Sequence, residues 1–483
     1  LKNSQAPKQE IILGLTAVAA YVVCIVNDFH TDDWIVLSLL RDGFSFGDFL
    51  SMENPGRFRP LTNILLYIRY LVFGDTAFLY YSLNIVLHAL VTVSLYRLLV
   101  RIELPRKAAF LSALIFAVYF QHYEAVVWLY GIIREFAALF YIACLWQLNE
   151  FVNKERTRSL FLFGILCFAG LLIVEDFVVA PLTFIVFVIF ISNKGELMSN
   201  ARPVMFAGVV ALIAYFSLRA LLIARPGIVE TYYFPGLHMI RVLFNYLGWF
   251  VIPSPTHPYF SSLASSLGSP LYFVWRGFSY VAIAGFIPLS IWLYVASPRP
   301  VRFFIIFMYI ALLPVLPLNY KVSSRNIYLP SLGLAVAAGW IFYRIFWKFN
   351  GRSLLKKIGT AVIIVIVVIN VGSIAVASRE YYQTQKQVDS IVDDLERMDV
   401  DLNNCRIVLL DNLPGRVIVG PAMMYRLHFK QAVIASNDAL KGPIDIAAKA
   451  DSLYNEGVPI LVFAYRQGHM VEATKEYTSQ SAQ

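Results

Sequence analysis

The sequence predicts an α-helical polytopic membrane protein of about eleven transmembrane helices, N-terminus in and C-terminus out, with a small C-terminal soluble α/β domain. Three observations predict it. Of 483 residues 59% are hydrophobic and only 15% charged, with a mean hydropathy of +0.65, whereas soluble globular chains carry about 25% charged residues. Long apolar runs recur up to residue 378, and from Arg379 the composition turns abruptly polar. A membrane domain over 1–378 and a soluble domain over 379–483 follow.

A spanning helix needs about 20 mainly apolar residues. The runs near 11–26, 78–100, 159–174, 177–192, 203–223, 272–296, 302–318, 329–348 and 358–378 qualify. Those near 108–121 and 131–149 are shorter or carry polar residues, yet the chain between them offers no better crossing. The first run continues through "YVVCIV" past the small residues of "AVAA", which suits a retained anchor rather than a cleaved signal peptide. Segment 239–252 ("MIRVLFNYLGWFVI") is short and aromatic and leads into "PSPTHP", so it reads as an interfacial or re-entrant helix.

Loop charge tests this order. The loops "RIELPRK", "NKERTR", "NKGELMSNAR", "SPRPVR" and "KFNGRSLLKK" each hold at least two Lys or Arg close to a span. By the positive-inside rule they face the cytoplasm. The first opposite loop, 27–77, instead holds seven acids against four bases. The net charge of +9 therefore reflects sorted loops and gives no nucleic-acid signal. Four cysteines, three of them inside apolar runs, supply neither a disulfide framework nor metal-ligand spacing.

In the soluble part, "REYYQTQKQVDSIVDDLERMDV" has helical spacing, and "CRIVLLD" and "PILVFAY" read as buried strands. "DALKGPIDIAAKADSLYNEG" reads as a loop and a helix ended by Gly457. "DNLPGRVIVG" is a turn-rich loop, either a ligand contact or a plain surface turn.

Ionisable groups beside membrane helices are expensive and by default mark function. Five clusters fall on the outer side. They are "NDFHTDDW" with Asp28, Asp32 and Asp33; "NPGRFRPLTNILLYIRYLVFG" with Arg57 and Arg59 ahead of an amphipathic surface helix; and "QHYEAVVWLYGIIREFAALF" with His122, Glu124, Arg134 and Glu135. The others are "LLIVEDFVVAP" with Glu175 and Asp176, and "LPLNYKVSSRNIYLPS" with Lys321 and Arg325. Each has a bland alternative. Thr31 or Asp32 would cap a helix starting at Trp34, and Arg57, Arg59 and Lys321 would touch lipid headgroups. Glu175 and Asp176 would be solvated hairpin residues. Convergence on one face favours chemistry. A carboxylate can take the proton of an attacking hydroxyl, and Arg and Lys can hold a carrier phosphate as it leaves.

In their order, these pieces resemble the GT-C membrane glycosyltransferases. The resemblance is nearest the protein O-mannosyltransferases and the transmembrane, TPR-containing O-mannosyltransferases with their bacterial relatives. "DFHTDDW", "RFRPLTNILLYIRYLVFG", "YYSLNIVLHAL", "QHYEAVVWLYGIIREFAALF" and "SSRNIYLPSLGLA" carry it, over residues 28–335, without a TPR repeat. It implies an inverting enzyme that moves a sugar from a polyprenyl-phosphate donor to a hydroxyl of a protein, lipid or glycan, on the periplasmic or outer face of a bacterial inner membrane. It further implies a base in the first outer loop, Asp32 or its neighbour Asp33, with Asp32 favoured as the first acid of the pair, and Glu124 as a second acid. Arg57, Arg59, Arg134, Lys321 and Arg325 become donor-phosphate or sugar contacts, joined by His122, Glu175 and Tyr328. The partners are the lipid-linked sugar, the acceptor and membrane lipids, with no nucleic acid. The only cofactor in view is a divalent cation (Mg or Mn), which Asp28, Asp32, Asp33 and Glu124 could hold without a spacing that decides it. Two residues depart from the pattern: Val174 stands before Glu175 where relatives carry Lys, and Ser324 before Arg325 where many carry an acid. The other reading is a lipid flippase or transporter with the same charges along its path, which predicts inverted repeats and mid-membrane polar residues. No internal repeat is found. A third reading is a scaffold or sensor without activity.

Overall fold

The computed structural model describes residues 6–479 apart from 31, 42, 44, 46, 48–57, 155, 194, 223–233, 252–267, 319–322, 349–352, 399–400, 415–418 and 437–443; of Ala6, Asp32, 268–280 and Ala282 it describes only the backbone. The chain divides into two compact units, Leu1–Ile25 with Ser45–Ala377, and Val26–Phe44 with Ser378–Gln483.

The first unit is helical. Among the described residues, five helices are long and apolar enough to cross a membrane: Pro7–Val26, Ala77–Arg101, Leu129–Lys154, Leu197–Leu222 and the apolar part of Ser353–Arg397. A sixth arises if Arg106–Val118 and Phe120–Val126, bent by 49° at their junction, count as one span. Helices also stand at the remaining sequence-predicted crossings, Thr157–Ile173, Ala180–Ile191, Gly268–Ala296, Arg299–Ile310 and Ser331–Phe342. Apart from the 29-residue Gly268–Ala296, they are cut short by turns where polar residues and prolines gather, such as Glu175–Val179 and Leu313–Val315. A twelve-residue helix rises only about 18 Å. Segment 239–252 is a helix over His238–Trp249 whose buried face packs against Leu312, Val315 and Ile327.

Apolar burial between helices gains little where the alternative neighbour is a lipid tail, so close approach must be built from small residues. Gly339 shows this. A Cβ there would lie 2.3 Å from the Ser112 hydroxyl and 2.5 Å from the Ser112 nitrogen, so the Ser331–Phe342 and Arg106–Val118 helices touch backbone to backbone. Ser112 meanwhile returns its own hydroxyl to the Ala108 carbonyl at 2.9 Å.

The second unit holds a four-stranded sheet of order β2-β1-β3-β4, with β1 Ile407–Asp411, β2 Ala432–Ala435, β3 Ile460–Arg466 and β4 His469–Glu472. β1 lies parallel to β2 and β3, and β4 returns antiparallel on β3. Gln467 (φ 50°) and Gly468 (φ 95°) join these two, the pair of left-handed residues that a two-residue hairpin requires. Leu409 and Val462 bury against Ile446, Ala450 and Leu453 of the Ile446–Asn455 helix. The sequence predicted β1, β3 and that helix; β2 and β4, at four residues each, carry too short a pattern. Asp445 caps the helix, accepting the Ala448 N–H at 3.1 Å. Asp445→Ala is expected to lower local stability by about 1 kcal/mol, read as faster hydrogen exchange at Ala448 and the turn after it.

The polar helix predicted from Arg379 is the continuation of the last apolar run in one 45-residue helix, Ser353–Arg397. Val26–Phe44, which the sequence assigned to the membrane domain, clusters instead with Ser378–Gln483.

Candidate functional site

In the helical unit, turns between helices bring polar side chains into one connected network. Thr62, in the first turn of the Pro60–Phe73 helix, donates to the Ile173 carbonyl at 2.7 Å. Ile173 ends its own helix, and Glu175 and Asp176 open the next turn. That contact draws the residue before Pro60 to the acids, and Arg59 Nε donates to Glu175 Oε2 at 2.5 Å. Asp176 pairs with Arg134, in the first turn of the Ile132–Lys154 helix. The same guanidinium donates to Asn326 Oδ1 at 2.7 Å, and Asn326 Nδ2 donates to the Tyr246 hydroxyl at 2.8 Å. Burial pushes the Tyr246 phenol up to about 12, so it stays neutral.

Next to Asn326, the Arg325 guanidinium lies 4.1 Å over the Trp128 ring. There the cation meets the negative face of the indole. Glu124 closes the network: its Oε2 accepts the Ser323 hydroxyl at 2.5 Å and the Arg325 backbone N–H at 3.2 Å. Three arginines and three carboxylates from five separated segments thus meet along one chain of contacts. Arg59, Arg134 and Asp176 are each about one-seventh exposed and Glu175 one-quarter, so the network is part-buried and still reachable.

A buried clamp shapes the turn that presents Glu124 and Trp128. Arg69 sits at 4% exposure, on the helix that the sequence placed at the surface. It donates to the Leu129 and Tyr80 carbonyls at 3.0 and 3.1 Å and to Asn84 Oδ1 at 3.2 Å. Asn84 Nδ2 in turn reaches the Val126 and Trp128 carbonyls at 3.1 and 2.8 Å. Four buried carbonyls around this turn are thus held by two side chains. Gly131 is obligatory there, since a Cβ would lie 1.7 Å from the Ala125 carbonyl oxygen. Gly131→Ala is expected to lower both the thermal midpoint in detergent and the activity, because the turn must open to admit the methyl group.

His122 and Tyr328 are fully buried. The Tyr328 hydroxyl lies 2.8 Å from His88 Nδ1, the His122 and Tyr328 rings are 4.5 Å apart, and His122 Nε2 lies 2.7 Å from the Ser331 hydroxyl. Ser331 itself donates to the Tyr328 carbonyl at 2.7 Å, which makes the imidazole the donor to Ser331. These two candidates hold the start of the Ser331–Phe342 helix rather than lining the accessible network. Arg57 and Lys321 lie outside the described residues.

The acidic stretch belongs to the second unit. Asp33 is fully buried, and its Oδ2 accepts the His30 N–H at 3.3 Å while its own N–H donates to the His30 carbonyl at 3.0 Å. This reciprocal pair starts the Asp32–Arg41 helix as the acid of a capping box does. Asp28 Oδ1 accepts the Phe29 N–H at 2.7 Å. Both carboxylates are thus engaged by their own loop. Among the described residues, which leave out the Asp32 side chain, no three His, Cys, Asp or Glu side chains gather to hold a metal ion.

Residues 54–218 match the family described as dolichyl-phosphate-mannose-protein mannosyltransferase. The chain is similar to the oligosaccharyltransferase AglB of Archaeoglobus fulgidus, solved with an inhibitory peptide and a dolichol-phosphate, at TM-score 0.52 and 12% identity over 96% of this chain and 69% of that one. A crystal structure of an Archaeoglobus fulgidus oligosaccharyltransferase with Zn and sulfate gives TM-score 0.53 and 13% identity over 94% and 67%. This is the fold of a GT-C membrane glycosyltransferase. No curated protein matches the sequence. Within the GT-C fold the matched stretch carries Arg59, Glu124, Arg134, Glu175 and Asp176, while Arg325 and Asn326 complete the network from beyond it. Sequence reasoning missed Asn326, Tyr246, Trp128 and the Arg69–Asn84 clamp. Arg69 and Asn84 were detectable as polar residues within apolar helices; the others are neutral residues next to charged ones.

Proposed function

We propose that the chain transfers a sugar from a polyprenyl-phosphate donor to a hydroxyl group, with inversion, on the outer face of a bacterial inner membrane. The observation that carries this reading is the network of Arg59, Arg134 and Arg325 with Glu175, Asp176 and Glu124. Glu175 and Asp176 fix the Arg59 and Arg134 guanidinium groups and so preorganise positive charge for an anion, at no reorganisation cost during the reaction. The donor's phosphate is such an anion. Asp32 takes the proton of the acceptor hydroxyl, whose oxygen attacks the anomeric carbon. The bond from that carbon to the phosphate oxygen breaks, and its electron pair leaves on the lipid phosphate, held by the arginines. Assignment of the base to Asp32 rests on the sequence resemblance and on Asp33 being engaged in its own loop. The sorted basic loops support the N-in, C-out orientation that puts this chemistry outside.

The test is label transfer from a panel of polyprenyl-phosphate sugars by the purified protein. Consumption of one donor with release of the lipid phosphate is the expected result. A protein that consumes none of them, but moves labelled lipid or solute across vesicles, would overturn the reading in favour of a transporter.

A further inference from the structure

A cavity of about 450 Å³ lies in the helical unit, away from the network of arginines and carboxylates. Asn149 and Asn153 line it, late in the Ile132–Lys154 helix that carries Arg134 in its first turn. Asn149 stands about 22 Å farther along that helix than Arg134, so the two sites are separate. The rest of the wall includes Arg101, which ends the Ala77–Arg101 helix, with Glu103 just beyond it. Phe190 and Arg299, the first residue of the Arg299–Ile310 helix, complete it.

Two donors of this wall meet no acceptor among the described residues. Asn149 is 5% exposed, and its Oδ1 accepts Asn153 Nδ2 at 3.0 Å. That bond orients the amide and leaves Asn149 Nδ2 unpaired at the cavity. Buried polar groups are nearly always hydrogen-bonded, so this one is placed for a ligand oxygen. The second donor is the exposed Arg299 guanidinium. Behind the wall Arg101, Lys154 and Arg156 all converge on the Glu150 carboxylate, Lys154 at 2.7 Å and Arg156 at 3.9 Å. One carboxylate does not balance three cations. With Arg299 the surroundings carry four positive charges against Glu150 and the exposed Glu103. Guanidinium forks beside a fixed amide donor suit an anion with several acceptor oxygens, as a phosphate has.

An apolar groove of about 380 Å³ runs close by, lined by Leu90, Leu139 and Trp146. The Arg101 guanidinium lies 5.5 Å from the centre of the Trp146 ring, so one residue borders both the polar cavity and a groove for an acyl chain. We propose that the cavity binds a phosphate group through Arg101, Arg299 and Asn149 Nδ2. Its source is the headgroup of an anionic phospholipid, which the groove favours, or a free phosphate.

The test uses the full-length protein, delipidated in detergent. Phosphatidylglycerol or phosphatidylcholine is added back and bound lipid is counted by native mass spectrometry, and inorganic phosphate is titrated calorimetrically in a separate arm. Wild type is compared with Arg299→Gln, Asn149→Asp and Arg158→Gln. Asn149→Asp keeps the acceptor for Asn153 and replaces the free donor by a negative oxygen. Arg158 is an exposed cation that lines neither cavity nor groove. Wild type should retain phosphatidylglycerol over phosphatidylcholine, and Arg299→Gln and Asn149→Asp should each weaken that retention by about tenfold or more. Arg158→Gln should match wild type. Binding of inorganic phosphate, lost in the same two variants and without a preference between the lipids, would support the site and assign a free phosphate to it. The proposal is overturned if neither probe binds with this pattern, or if Arg158→Gln weakens retention as much as Arg299→Gln, since the attraction is then general surface charge. Should Asn149→Asp fail to fold, Arg299→Gln decides: it breaks no bond of the free protein, and unchanged retention there overturns the proposal.

Discussion

Asp32→Asn is expected to remove about 10²- to 10⁴-fold of the transfer rate and to leave donor binding intact. The amide keeps the size of the carboxylate but cannot take a proton from the attacking hydroxyl. The loss therefore falls on kcat, and the acid limb of the kcat–pH profile should vanish with it. Asp33→Asn should behave differently. Its carboxylate is buried and accepts the His30 N–H, so the variant weakens a charge-assisted bond worth roughly 1.5–3 kcal/mol and loosens the loop. Its signature is faster exchange at residues 33–41 with the pH profile retained. If the two variants exchange roles, the base is Asp33. If neither loses activity, the acids after the first span are structural and the network of the helical unit must find its base elsewhere.

Much of this site was legible as residue types and little of it as pairs. That acids and bases in five segments belong together followed from their cost beside apolar helices. That Arg59 answers Glu175, 116 positions later, did not, because the Thr62 contact that aligns them depends on how two helices pack. Arg69 was misplaced for the same reason: helical spacing shows that one face is polar, and only the neighbouring carbonyls of Tyr80 and Leu129 show that this face is buried. The 26–44 segment was assigned by what precedes it in the chain, whereas Arg41 donates to the carbonyl of Tyr425, 384 positions away, and Trp34 packs on the Tyr425 ring. Strands β1 and β3 were visible as apolar runs; β2 and β4 are too short to stand out and are defined by the neighbours they pair with.

Arg134→Met is expected to lower kcat/KM by about 10²- to 10³-fold, the range seen when one preorganised donor to a developing anion is removed. Arg134 is the junction of the network. It holds Asp176 and Asn326, and Asn326 adjoins Arg325. Losing it both subtracts a cation and releases Arg325 from its fixed backbone. Arg134→Lys keeps the charge without the planar fork, so it should recover part of the rate and little of the affinity for donor. Asp176→Asn provides the second arm. If the pair acts as a unit, the double variant will be less impaired than the two single losses added together, with a coupling of about 0.5–3 kcal/mol. Arg59→Met with Glu175→Asn repeats the cycle on the neighbouring pair. A fall in thermal midpoint without any change in kcat/KM per folded molecule would make Arg134–Asp176 a structural ion pair. A loss of kcat/KM at an unchanged midpoint would assign the donor phosphate to this network, because folding and charge are then separated in one residue.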